Sequence, residues 1–225
     1  MTPGLFILWI GLLKLGGDAR PSGDEILKNV EASLSGMLDY TVDLDVTTNV
    51  DRMNVPPMHV RMYYKQPDKF HFESDGFALL PREGLAFSAS RMLSRFSVED
   101  VEEEMSGNEK QFKLLLRPKD TRVRATQLVL YIDAAQWKPR TIVSSLFDGR
   151  TMTASFRYEK QGSYLMPSSL SVEFAAPPAD TTDQTLGMEV APLQRPQMPR
   201  SGTIMVRYSS YKINTGLSDD IFDKK

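Results

Sequence analysis

The chain has no cysteine and only two histidines among its 225 residues. Without thiols there can be no disulfide, no thiolate nucleophile and no cysteine-based zinc or iron–sulfur site. His59 and His71 form no H-x-x-x-H pair, and no G-x-S-x-G elbow is present, so metallohydrolases and Ser-His hydrolases lack their parts. We therefore expect a protein that is not an enzyme and that uses no metal or cofactor.

An excess of basic residues is also missing, with 27 Lys and Arg against 29 Asp and Glu. Nucleic-acid binding is not expected, because it needs a basic patch that displaces counterions. No glycine-rich loop with phosphate-binding spacing precedes a helix, so nucleotide binding is not expected either. The acidic run at residues 99–104 (EDVEEE) lacks the spacing of a calcium loop and is typical of a solvated strand edge.

The longest apolar run lies near the N-terminus, at residues 5–17 (LFILWIGLLKLGG). It is too short to span a bilayer as a helix, which takes about 20 residues, and a small-x-small triplet ending at Ala19 follows it. We expect residues 1–19 to be a cleaved signal peptide and residues 20–225 to be one domain exported to the periplasm. No cysteine follows the run to carry a lipid anchor. A buried N-terminal helix is the alternative, since no basic residue precedes the run.

Two segments have apolar residues at helical spacing. Ser22 to Glu25 has the S-x-x-E form of a capping box, and the spacing behind it predicts a helix over residues 24–38. A second helix is predicted over residues 84–96. Residues 177–201 contain five prolines and few apolar positions that could pair, which predicts a mobile loop.

The rest of the chain changes to a period of two. Alternation begins at Tyr40, and the other predicted strands are 57–65, 69–75, 111–117, 126–133, 140–147, 151–160, 168–175 and 202–212. Residues 97–105 suit a helix by composition, but the Ser106-Gly107-Asn108 turn after them favours a strand. Together these segments predict a mostly β, antiparallel protein.

Some strands are apolar at nearly every position, namely residues 114–116 (LLL) and 128–132 (LVLYI). Strands of this kind are expected where helices cover one face of a sheet, or where the sheet curls around a cavity. The chain also has twelve methionines, whose flexible side chains suit a pocket for acyl chains of variable shape. The alternative is that methionine simply fills an ordinary core.

Three segments resemble the LolA-type carriers of the outer-membrane lipoprotein-sorting family. Residues 62–76 (MYYKQPDKFHFESDG) have a strand that ends in a turn with proline, followed by a strand with aromatic residues. Residues 211–222 (YKINTGLSDDIF) are similar to the family's closing strand, and residues 131–140 to its central hairpin. In order, these motifs span most of residues 24–225.

The resemblance implies an unclosed half barrel of about eleven antiparallel strands, with helices as a lid over an apolar concave face. It implies a monomeric periplasmic carrier that takes the acyl chains of a lipoprotein or other lipid from an inner-membrane transporter to an outer-membrane acceptor. The alternative is a non-enzymatic periplasmic sensor that regulates a membrane partner, as in related anti-sigma-factor regulators. A scaffold with a filled core is a third reading.

The resemblance also suggests which residues line a ligand cavity: Met62, Tyr64, Gln66, Phe70, Phe72, Leu85, Met92, Leu93 and Leu130. Counting by twos places Gln66, Phe70 and Phe72 on the concave side, and Lys69, His71 and Glu73 on the wet side. Gln66 is a departure, because the family's carriers have at this position an arginine that bonds to the backbone of the lid. Glutamine lacks the charge and fork geometry of that arginine.

Overall fold

The computed structural model describes residues 20–51, 54–74, 88–120, 123–175 and 201–223. Ten strands make up most of this part: β1 (Asp39–Val50), β2 (Met58–Lys65), β3 (Lys69–Ser74), β4 (Phe96–Ser106), β5 (Glu109–Pro118), β6 (Ala125–Asp133), β7 (Pro139–Leu146), β8 (Thr151–Gln161), β9 (Tyr164–Ala175) and β10 (Ser201–Ile213). The helices are α1 (Gly23–Ala32), α2 (Ala89–Arg95) and α3 (Asp220–Asp223). Within the described ranges, no helix has the length and hydrophobicity needed to cross a bilayer.

All ten strands form one antiparallel sheet in the order β3-β2-β1-β10-β9-β8-β7-β6-β5-β4. The last strand, β10, returns to pair with β1, whereas β3 and β4 lie at opposite edges. Because β3 and β4 do not pair with each other, the sheet is unclosed. The predicted mostly β half barrel is therefore confirmed, with ten strands in the described residues where about eleven were expected.

Side chains alternate between a buried concave face and a wetter outer face. In β1, Val42, Leu44 and Val46 are buried, whereas Asp45 and Thr47, which point to the other face, are exposed. The alternation holds in the apolar strands as well. Leu114 and Leu130 are fully buried on the concave face, and their neighbours on the outer face are only half-buried.

Helix α1 begins with the predicted capping box but ends earlier than predicted. The Ser22 hydroxyl accepts from the Glu25 backbone at 3.3 Å, and the Glu25 carboxylate accepts from the Ser22 backbone at 2.7 Å. The helix ends at Ala32 instead of residue 38. Residues 33–36 form a turn, and Gly36 adopts a φ of 81°, which a glycine adopts without strain.

Three other expectations concern segments that are partly or wholly outside the described residues. The leader at residues 1–19 and residues 177–200 of the proline-rich loop lie outside, but Ser201 is the first residue of β10 and not part of a loop. The second helix is described only as Ala89–Arg95. Phe96, predicted as its last residue, instead starts β4, because its extended backbone pairs with Pro118.

The concave face carries two hydrophobic clusters. The tyrosine-rich cluster comprises buried residues of the first and last strands: Met37, Tyr40, Val42, Leu44, Val46, Val60, Met62, Phe156, Met166, Leu170, Val172, Val206 and Tyr208. The helix-covered cluster packs α1 and α2 against β4, β5 and β6, at one edge of the sheet: Ile26, Leu27, Val30, Ala89, Phe96, Phe112, Leu114, Leu116, Val123, Ala125, Leu128, Leu130 and Ile132. Ile142 of β7 contacts both clusters, so the apolar face is continuous.

The C-terminal segment docks on the start of β1. The buried Asp39 carboxylate accepts hydrogen bonds from the backbone amides of Thr215, Gly216 and Leu217 at 2.8 to 3.2 Å. Asn214, at a φ of 57°, donates from its side chain to the Gly36 carbonyl. The segment after β10 is therefore held in place by hydrogen bonds to residues at and before the start of β1, and β10 itself lies inside the sheet, between β1 and β9.

The acidic run lies on the edge strand β4, as its composition suggested. Its carboxylates pair with basic side chains of β5: Glu99 with Arg117, Glu102 with Lys113 and Glu103 with Lys110, all within 3 Å. Charged edges of this kind discourage pairing with other strands.

Candidate functional site

The site predicted from the sequence is divided between the two clusters. Met62 is fully buried in the tyrosine-rich cluster, and Tyr64, Phe70 and Phe72 pack against it from its rim. Leu130 lies fully buried in the helix-covered cluster, against which Met92 and Leu93 of α2 pack. Leu85 lies outside the described residues. The eight described residues are therefore spread over both clusters, and their role in ligand binding stays a prediction.

The rim is formed by the hairpin of β2 and β3. Phe70 pairs with Tyr64 and Phe72 with Met62 across the strands, so both phenylalanines face the concave side, as counting by twos suggested. Both are only half-buried, because β3 is an edge strand with no further strand beside it in the described residues. Their rings are the accessible continuation of a fully buried apolar wall.

Aromatic rings follow one another along this rim. The Tyr64 ring lies 5.0 Å from that of Phe70 and 5.0 Å from that of Tyr40, which lies 5.9 Å from Tyr211. The rings are tilted against each other, an arrangement favoured by their quadrupoles. This row connects the edge strand to the centre of the sheet.

Arg91 links α2 to the rim. Its guanidinium lies 5.1 Å from the centre of the Phe70 ring and donates to the Asp68 carbonyl at 2.8 Å. The Asp68 carboxylate is 3.8 Å away. Gln66, the position at which the family's carriers have arginine, is exposed in the turn after β2. Here the arginine extends from the helix to the strand turn, the reverse of the expected direction.

The sequence did not reveal the tyrosine hydroxyls as a group. Tyr158 donates to the Pro139 carbonyl and Tyr211 to the Pro167 carbonyl, both at 2.7 Å. Burial raises the pKa of each of these two phenols well above its ordinary value of 10.0. Each tyrosine lies in a segment with strand-like alternation, but nothing in the sequence showed which strands would lie side by side and bring the hydroxyls onto one face.

Lys138 fixes α1 to the β6–β7 turn. It is 4% exposed, and its ammonium donates to the hydroxyl of Ser33, at the C-terminus of α1, at 2.9 Å. Cations are favoured at helix C-termini, where carbonyls have no partner in the helix. Burial lowers the pKa of Lys138 to about 8. The bond ties α1, which packs in the helix-covered cluster, to the sheet.

A separate cleft of about 580 Å³ lies at one end of four strands, formed by the end of β1, the start of β8, the end of β9 and the start of β10. Its lining is mostly hydroxyl, amide and carboxylate groups, from Asn49, Asp51, Thr151, Thr153, Glu173, Phe174, Ala175, Ser201, Gly202 and Thr203. Such a lining does not suit an acyl chain, so the concave face remains the candidate site.

No family model and no curated protein sequence matches the chain. Solved structures do match over nearly its full length. A LolA superfamily protein from Nitrosomonas europaea covers 91% of this chain and 99% of its own, with a TM-score of 0.60 at 12% identity. The chain has the LolA-superfamily fold.

Two further structures have the same LolA-type fold. An outer membrane lipoprotein-sorting protein domain from Vibrio parahaemolyticus aligns over 89% of this chain and 96% of its own, with a TM-score of 0.63 at 14% identity. A DUF1329 family protein from Desulfovibrio piger gives 0.62 at 14% identity, over 89% and 95% of the two chains. At such identities the likeness concerns the fold, and function has to be argued from the site.

Proposed function

We propose that the chain is a periplasmic carrier that binds the acyl chains of a lipoprotein or another lipid on its concave face and moves them toward the outer membrane. The observation that carries this proposal is the half-open rim of Tyr64, Phe70 and Phe72, which continues a fully buried apolar wall. Accessible apolar surfaces of this kind mark ligand grooves. The likeness to a lipoprotein-sorting domain supports lipid as the cargo class.

Acyl chains fit the composition of the wall. Burying one methylene group contributes about 0.8 kcal/mol, and an acyl chain has many of them, so its transfer from water to the apolar wall is favourable. Met62, Met37 and Met166 are fully buried in the wall, and their unbranched side chains can repack around ligands of different shape.

In this proposal α2 is the movable lid. The helix has seven residues, of which Ala89 is the buried one, and a helix this short has little stability of its own. Arg91 ties it to the rim through Asp68 and Phe70. Lys119 bonds the Leu93 and Arg95 carbonyls at the other end of α2, so breaking the Arg91 link would uncover the Phe70 ring while the C-terminal end of the helix stays in place.

Export after Ala19 and exchange with a delivering transporter and a receiving acceptor complete the proposal. Its test is native mass spectrometry of the full-length chain, produced in a host with membranes. We expect a bound species of lipid mass that is released on activation in the gas phase. A bare protein mass, together with no binding of a fluorescent fatty-acyl probe, would contradict the carrier function.

A further inference from the structure

Six tyrosines place hydroxyl groups on the otherwise apolar wall: Tyr40, Tyr64, Tyr158, Tyr164, Tyr208 and Tyr211. Buried hydroxyls normally have a hydrogen-bond partner. Tyr64, Tyr158 and Tyr211 donate to the carbonyls of prolines at 2.7 to 3.2 Å. These hydroxyls are explained by the protein itself.

Tyr40 is different. Its side chain is 8% exposed, yet no residue in the described part of the chain accepts a hydrogen bond from its hydroxyl. None of the fully buried side-chain polar atoms in that part lacks a partner. The Tyr40 hydroxyl therefore keeps some contact with solvent, and the alternation of β1 directs it to the concave side with Val42 and Leu44.

The surroundings of this hydroxyl favour a neutral acceptor. The buried charges of the described residues are Asp39, Asp133 and Lys138, and all three already have partners within the protein. A ligand carboxylate beside Tyr40 would thus be buried without a countercharge, which is costly. A carbonyl oxygen needs only one donor. Burial raises the pKa of Tyr40 well above its ordinary value of 10.0, so the phenol stays a donor.

We propose that the Tyr40 hydroxyl donates a hydrogen bond to the carbonyl oxygen of an ester-linked or amide-linked acyl chain. The polar end of the ligand then lies at the start of β1, and its hydrocarbon tail follows the half-buried rings of Tyr64 and Phe70 along the rim. This inference rests on the proposed carrier function and adds a substrate class. The preferred cargo is a neutral acyl ester or amide.

The test compares two ligands of similar length, methyl palmitate and hexadecyl methyl ether, which differ in having a carbonyl oxygen. Displacement of a fluorescent fatty-acyl probe gives the two affinities for wild type, Tyr40→Phe and Tyr158→Phe. We expect Tyr40→Phe to keep its melting temperature and to lose about tenfold in ester affinity, the size of one hydrogen bond, with a smaller loss for the ether, which has no carbonyl oxygen. Tyr158→Phe should lower the melting temperature, since Pro139 loses its donor, and keep the ester-to-ether ratio.

The outcomes separate the two proposals. A wild-type protein that binds neither ligand nor the probe would overturn the carrier function itself. Normal ester affinity in Tyr40→Phe would overturn the Tyr40 contact alone. Infrared spectra of carbonyl-labelled methyl palmitate bound to wild type give an answer that does not depend on how the variant folds. We expect the carbonyl stretch at lower wavenumber than in hydrocarbon solvent, and an unshifted band would also overturn the contact.

Discussion

The tyrosine-rich and helix-covered clusters use the same strand alternation but differ in what fills the concave face. The first has six of the eight tyrosines and a half-open aromatic rim. The described members of the second include no tyrosine, and leucines such as Leu114 and Leu130 are fully buried beneath α1 and α2. Both lie on one continuous face, joined at Ile142.

The difference indicates a division of labour. Aliphatic side chains covered by helices have most of their apolar surface removed from water, which stabilises the fold. Aromatic side chains with a hydroxyl group combine apolar area with a polar end, which suits contact with an amphipathic ligand. We expect variants in the helix-covered cluster to change the free energy of unfolding, and variants at the rim to change binding.

The largest expected effect is that of Leu130→Ala in the helix-covered cluster. Leu130 is fully buried, so the truncation removes apolar contacts and leaves a cavity, at a cost of about 3 kcal/mol in the free energy of unfolding. Urea denaturation of the wild type and the variant measures it. Phe72→Ala at the rim is the comparison and should cost less than half as much.

If the two variants cost the same free energy, or if Leu130→Ala abolished acyl binding without loss of stability, the division between the clusters would be wrong. The second result would return Leu130 to the ligand cavity in which the sequence had placed it.

The next effect is the loss of binding in Phe70→Glu. Phe70 is half-buried at the edge strand, so a carboxylate there can stay hydrated, and the Arg91 guanidinium is close enough to pair with it. The fold should survive while affinity for a fatty-acyl probe falls at least about tenfold, because a charge replaces an apolar contact surface. Phe70→Leu, which keeps an apolar surface, should bind nearly normally.

Thermal melts and probe displacement on the same samples check this pair of variants. A folded Phe70→Glu protein with wild-type affinity would remove Phe70 from the site. Loss of the fold would instead show that the rim is a closed core.

Features of the fold and the site could be predicted from the sequence where they depend on residues close together in the chain. The alternation that orients Phe70 and Phe72 is local, and so is the turn at Gly107, which has a positive φ in the hairpin that Ser106-Gly107-Asn108 indicated. The end of α1 was misplaced by six residues, because apolar spacing continues through a turn that Gly36 imposes.

Contacts between distant segments were not predictable. Period-two spacing tells which face a side chain occupies, not which strands lie together, so it could not show that Leu130 and Met62 belong to different clusters of that face. Arg91 was missed for the same reason. Its partner Asp68 lies 23 residues earlier in the chain and offers a backbone carbonyl, which no sequence motif records.

A smaller effect is expected from pH, with opposite signs in two windows. The lowered pKa of Lys138, about 8 against an ordinary 10.5, means that the folded state releases this proton first. Stability should therefore rise between pH 8 and about 10. Tyr158 and Tyr208 have folded pKa values raised by burial, so the unfolded state ionises first above pH 10 and stability should fall there.

Melting temperatures of wild type and Lys138→Met between pH 7 and 11.5 check both windows. The variant should lack the rise and keep the alkaline fall. A rise of equal size in the variant would show that Lys138 is not its source.

The smallest expected change in stability is that of Arg91→Ala. The Arg91 side chain is half-exposed, so its hydrogen bond to Asp68 and its contact with the Phe70 ring together should contribute less than about 1 kcal/mol to the free energy of unfolding. Its effect on kinetics should be larger, because the link ties α2 to the rim. We expect faster association and dissociation of a fatty-acyl probe in stopped-flow measurements, with a melting temperature close to that of wild type.

Two further variants are the controls for Arg91→Ala. Arg91→Lys keeps the charge but lacks the forked guanidinium, so its rates should be intermediate. Gln66→Ala is the matched control, since that exposed side chain occupies the family's arginine position and should change neither rate. Faster exchange in Gln66→Ala, with none in Arg91→Ala, would assign the link between lid and rim to the turn residue instead.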